Sequence, residues 1–190
     1  MRILSLFALL FTTSCGVQEV KELGHDVSSK PFLPKHSDNR FDSYISKYEK
    51  EMNIKIGFPI VFVDYFIDSD IAGQCSLNWD KSRIVRISEE SWNNPHELYK
   101  DHIEVFRELI MYHELKHCAS RFKYHVNSYK TFIYNNEEVS EPESIMNSFI
   151  EISPEFYLDN REYYIKQLKE LWFRFYNYSY NGGIIWRPYI

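Results

Sequence analysis

A chain of 190 residues is long enough for one ordinary domain with a buried core. Its 44% hydrophobic and 26% charged residues exclude a disordered chain, and a net charge of −5 argues against nucleic acid as a partner, which asks for a basic patch. The aromatic share of 17% fills a core as readily as it binds a ligand, so it assigns no function.

The chain opens on Arg2 and a short apolar run over residues 3–11, too short to span a bilayer as a helix. Thr12-Thr13-Ser14-Cys15 follows. A small residue before Cys at the end of a signal peptide resembles the lipobox of bacterial lipoproteins. The resemblance implies a lipoprotein signal peptide over 1–14, lipidation of Cys15 and a membrane anchor through that lipid. Thr12 departs from it, because lipoproteins usually place Leu or another aliphatic residue there. A plain secretory signal cut nearby is the alternative, and both make this an exported chain. Gly16 after the Cys fits, by the same family's sorting habit, the outer membrane, on its periplasmic or its surface face.

Residues 15–40 read as a polar tether, with Gly24, Pro31 and Pro34 and no sustained apolar period. His25 and His36 lie in it and are expected to be solvated. The domain is expected over 41–190. Phe41, Tyr44, Ile45 and Tyr48 recur at helical spacing, which predicts an amphipathic helix over 41–52. Residues 59–66 are β-branched and aromatic and predict a mostly buried strand. A short strand at 75–77, a turn at 78–82 and a second strand at 83–87 follow. Export makes Cys75 and Cys118 a candidate disulfide; two buried free thiols are the alternative.

A long helix is predicted next, with Asn94 as cap, Pro95 at its first position and Glu97 completing a capping box. No Pro or Gly interrupts the chain from there to Ser120. Phe106, Leu109, Ile110, His113 and His117 share one face. His102, His96, Glu104 and Glu108 are expected on solvated faces. After residue 120 the pattern loosens, with turn signals at Asn135-Asn136 and Glu141-Pro142. Asp159 with Glu162 predicts the start of a final helix running to about residue 176.

Residues 113–117 read His-Glu-Leu-Lys-His. Histidines four apart on a helix stack one turn from each other, so both imidazoles reach one ion. Catalytic zinc takes three protein ligands and a water whose pKa it lowers to about 7. Glu114 points to the side of the histidine pair and suits the general base for that water. Two residues compete as third ligand: His125, eight positions after His117, and Glu137, twenty after. Lys116 is the odd feature, a charge inside a motif whose variable positions are usually uncharged.

His113-Glu114-Leu115-Lys116-His117-Cys118, then His125, then Ser144-Ile145-Met146-Asn147, resembles the metzincin plan. In that plan a third His follows the helix and a later Met-containing turn passes beneath the metal. The chain resembles more closely still a group of small bacterial metallopeptidase-like proteins. They share a Gly-x-Cys stretch, here Gly73-Gln74-Cys75, a following strand and Trp92, the helix motif, a downstream His and the Ser-Ile-Met-Asn turn. The resemblance covers roughly residues 59–150. It implies His125 as third ligand and Met146 as the hydrophobic floor of the site. Metzincins place the third His six residues after the second with a Gly between; here the gap is eight, and Ser120 stands in the Gly position.

These readings converge on an α+β domain of metzincin-like plan, with a small mixed sheet, a long zinc-binding helix and a packed C-terminal helix. The expected function is that of an exported Zn2+-dependent metalloprotease, a hydrolase of peptide or protein substrates, with His113, His117 and His125 as ligands and Glu114 as base. A non-catalytic surface lipoprotein that binds a partner, with a structural metal or none, is the competing expectation. Tyr157, Tyr163 and Tyr164 are minor candidates for a phenol near the oxyanion.

Overall fold

A computed structural model describes residues 38–66, 71–78, 80, 82–120, 124–148 and 150–180, with side chains to residue 171. The expected signal peptide, Cys15, His25, His36 and most of the tether lie outside the described residues. The tether's last residues already belong to the fold. Asp38 caps a 3-10 turn over Asn39–Phe41, its backbone N–H donates to the Ile60 carbonyl at 3.3 Å, and Arg40 pairs with Glu89 at 2.6 Å.

The described chain is a mixed α+β structure. Helix α1 (Asp42–Met52) buries Tyr44 and Tyr48 and ends at Asn53, whose left-handed φ of 54° stops the helix. Strands β1 (Ile60–Val63), β2 (Gly73–Leu77) and β3 (Arg83–Ser88) form one sheet in the order β1-β3-β2. β1 runs parallel to β3 and β2 antiparallel to it, so β2 is an edge strand. Ile84, Val85 and Ile87 of β3 are buried, as a central strand requires.

The predicted start of the long helix is corrected. Asn94 ends a one-turn helix, α2 (Glu89–Asn93), whose cap is Ser88, accepting the Ser91 N–H at 3.2 Å. His96, not Asn94, caps the next segment, and that segment is a 3-10 turn over Glu97–His102. The α-helix proper, α3, spans Ile103–Ser120. Capping chemistry is the same for both helix types, so the sequence signal marks a helix start without fixing its hydrogen-bond period.

Helix α3 is the centre of the molecule. Every residue from Leu109 to Cys118 is buried, which a surface helix with one apolar stripe would not show. α1 packs on it through Tyr48 against Tyr112, with ring centroids 5.0 Å apart, and β2 and β3 lie on another side. The stretch after residue 120, expected as loosely patterned chain, contains a hairpin of β4 (Tyr129–Tyr134) and β5 (Glu137–Pro142). Asn135 and Asn136 both take positive φ, 52° and 67°, the conformation a two-residue hairpin turn needs. The final helix α4 (Pro154–Tyr180) begins before the predicted cap and carries a kink at Asn160, beside Asp159 and Glu162. Phe156 and Tyr163 of α4 pack on Phe132 of the hairpin at 4.9 and 5.3 Å.

Candidate metal centre

His113 and His117 sit one turn apart on the buried length of α3 and are 1% and 3% exposed. The His113 ring is oriented by the chain: its Nδ1–H donates to the Ile145 carbonyl at 2.8 Å. A carbonyl only accepts, so the proton is on Nδ1 and Nε2 carries a lone pair. That Nε2 lies 2.9 Å from His117 Nε2, which in turn lies 3.2 Å from His125 Nε2. The three ligand atoms all fall within 4.8 Å of one another.

His125 reaches the cluster because the turn at Ser144–Asn147 holds its neighbour. The Val126 N–H donates to the Met146 carbonyl at 2.7 Å, and the Ser148 N–H donates to Asn127 Oδ1 at 2.8 Å. One turn therefore fixes two histidines, His113 through the Ile145 carbonyl and His125 through Val126. Met146 is fully buried at its centre.

The donor set fits a zinc ion. Zinc–nitrogen bonds of ~2.0–2.1 Å at the tetrahedral angle set ligand nitrogens about 3.3 Å apart, close to the 2.9 and 3.2 Å that separate His117 Nε2 from its two neighbours. Burial lowers the His113 imidazolium well below its ordinary range, and the neighbouring His117 and His125 add to this against the opposing Ile145 bond. Burial also lowers His125. Both rings are held neutral, the state in which imidazole binds metal.

Glu114 is buried, 2% exposed, and faces edge strand β2. Cys75 of that strand and Cys118 of α3 form a disulfide with Cα atoms 5.5 Å apart. Arg83 Nη1 donates to the Cys118 and Ala119 carbonyls at 2.6 and 3.3 Å, closing the C-terminal end of the helix that carries the histidines.

Other candidates fall elsewhere. Glu137 is exposed, at the start of β5 opposite Tyr134, and is not in the cluster. The Tyr157 hydroxyl donates to Glu108 at 2.6 Å and the Tyr164 hydroxyl to the Pro142 carbonyl at 3.0 Å, so both are engaged away from the histidines. Half-buried His102 lies 3.0 Å from Glu155. Glu104 is exposed as expected, but Glu108 is not solvated: it is buried against Tyr157 and Arg161. Lys116 is also fully buried, and its Nζ donates to the Leu168 carbonyl of α4 at 2.7 Å. The charge inside the motif faces away from the site and anchors α4. The Ile145 carbonyl and the contact of Arg83 with the helix end were not legible as site features, because each depends on pairing between distant segments.

No protein-family model matches the chain, and comparison with curated proteins and with solved structures finds no match. Among the described residues, no helix is long and apolar enough to cross a membrane.

Proposed function

We propose that this chain is an exported zinc-dependent peptidase of metzincin-like plan. The observation that carries the reading is the convergence of three imidazole Nε2 atoms within 4.8 Å, with Glu114 following the first of those histidines in the chain. The placement of His125 beyond the helix and of Met146 in a buried turn that holds two of the histidines supports the metzincin-like plan.

A zinc ion held by His113, His117 and His125 would supply a Lewis acid that acidifies water and polarises a peptide carbonyl. The protein's own part is distributed over few residues. The Ile145 carbonyl holds His113 in the tautomer that presents Nε2. Glu114 accepts a proton from the attacking water at its carboxylate and returns it to the leaving amine. In this reading Cys15 carries a lipid that holds the chain at the outer membrane. The Cys75–Cys118 bridge supports export, since such bonds persist in oxidising compartments.

Metal content of the purified protein tests the centre. One zinc per chain is expected, lost in His113→Ala and in His125→Ala. Zinc retained in His125→Ala would move the third ligand elsewhere, and no zinc even after it is supplied would sink the peptidase reading. Fatty-acid labelling of the full chain, abolished by Cys15→Ser, tests the anchor.

A further inference from the structure

Strand β2 touches α3 at two points two residues apart. A Cβ built on Gly73 would lie 2.7 Å from Glu114 Cγ, closer than real Cβ atoms come to other atoms, and 3.1 Å from Glu114 Oε1, a tight contact. Cys75, two residues on, is bonded to Cys118, four residues on from Glu114. Two residues along a strand advance about 6.7 Å and return to the same face; four residues along a helix advance about 6 Å and do the same. The two contacts are therefore successive rungs between one face of β2 and one side of α3.

Glycine at 73 is not there for its backbone. Its φ lies outside the left-handed region, and it sits in regular antiparallel register opposite Ile87. An alanine could adopt the same conformation, and a glycine inside a strand weakens it unless something approaches closely. What approaches is the buried side chain of Glu114.

We infer that β2 is the seat of the Glu114 carboxylate: Gly73 is a positioning residue that leaves room for it, and the Cys75–Cys118 bridge holds the strand at that register. The inference rests on the peptidase reading for its catalytic meaning and on the contact alone for its structural one. The three atoms nearest a methyl at 73 all belong to the Glu114 side chain, so Glu114 is the group that must shift. A general base displaced by about an ångström loses on the order of 10²-fold in rate.

The test is a cycle of four full-length proteins: the parent, Gly73→Ala, Glu114→Ala and the double variant. Glu114→Ala removes the Cγ that the new methyl would meet. Gly73→Ala is expected to lower the melting temperature by about 5 °C in the parent and to leave it unchanged in the Glu114→Ala background. Zinc content should be retained, and kcat for a peptide should fall on the order of 10²-fold with KM held within about twofold. An equal melting-temperature loss in both backgrounds would overturn the inference, because the methyl would then be meeting something other than Glu114. Full hydrolysis in Gly73→Ala, with hydrolysis lost in Glu114→Ala, would overturn the positioning role and leave the peptidase reading standing. If the parent itself hydrolyses nothing, the peptidase reading fails, and the melting-temperature cycle still decides whether Gly73 seats Glu114.

Discussion

Glu108, Tyr112 and Lys116 follow one another along one face of α3, and His113 and His117 follow one another along the next. On the first face, donors meet acceptors. Glu108 accepts from Tyr157 and Arg161, each at 2.6 Å, and pairs with Lys47 at the same distance. Tyr112 donates to Glu51 at 2.7 Å, and Arg161 closes the network onto Glu51 at 2.9 Å. On the second face three nitrogens of one kind meet, two of them in rings that burial keeps neutral. Pairing of unlike groups ties α1, α3 and α4 together; a gathering of like lone pairs is favourable when a cation is shared among them. One face is thus built for stability and the other could hold a cation, and each can be attacked alone.

The largest contrast is expected between two carboxylates of the same helix. Glu114→Gln should lower peptide hydrolysis on the order of 10³-fold with zinc retained and the melting temperature little changed. A Glu114→Gln protein that hydrolyses normally would remove the chemistry from its face. The Cys75–Cys118 bridge lies on the site side yet contributes stability. Its 43-residue separation corresponds to about 4 kcal/mol of loop-closure entropy in the unfolded chain. Replacing both cysteines by Ser should lower the denaturant midpoint accordingly and, if β2 seats Glu114, lower turnover as well.

Glu108→Ala probes the other face. It removes the acceptor of Arg161 Nε and of the Tyr157 hydroxyl, while Arg161 keeps its pair with Glu51. Breaking a buried pair from one side costs about 3 kcal/mol, taken at the low end because Arg161 is part-exposed, or roughly 6–12 °C of melting temperature. Zinc binding by the folded fraction should be unchanged. Loss of zinc without loss of stability would mean that the two faces are not separable.

The sequence made one face far more legible than the other. His113, Glu114 and His117 announce themselves because a fixed spacing on a helix is local information. Helix α1 and the β2–β3 pair were legible for the same reason, in the recurrence of Phe41, Tyr44 and Tyr48 and the β-branched run at 83–87. The anchoring network was not, since Glu51, Glu108 and Arg161 meet only through tertiary packing across as many as 110 positions. The β4–β5 hairpin was missed although Asn135-Asn136 marked its turn. Both strands are mostly exposed, and β5 carries Glu137, Glu138 and Glu141 with Val139 as its one large apolar residue, so it offers no apolar alternation to pair with β4. His125 belongs to both cases: its chemistry was visible, but its reach depends on Val126 meeting Met146 twenty residues away.

Lys116 gives the smallest effect and the sharpest test of the boundary, because it stands beside His117 in sequence yet serves the anchoring face. Burial pushes its ammonium down to about 7 from an ordinary 10.5. Between those values the unfolded chain binds a proton that the folded chain does not, so this residue makes stability rise with pH. Its destabilising contribution is fully present below pH 7 and relieved above pH 10.5. Lys116→Met removes that cost and also the hydrogen bond to the Leu168 carbonyl, worth about 1 kcal/mol. The variant should therefore be more stable than the parent at pH 6, by roughly 1–2 kcal/mol, and lose that advantage towards pH 9. Denaturant melts at the two pH values read the difference. An advantage that does not shrink on raising the pH would mean that the ammonium is not desolvated in the fold, and that packing alone sets the exchange at this position.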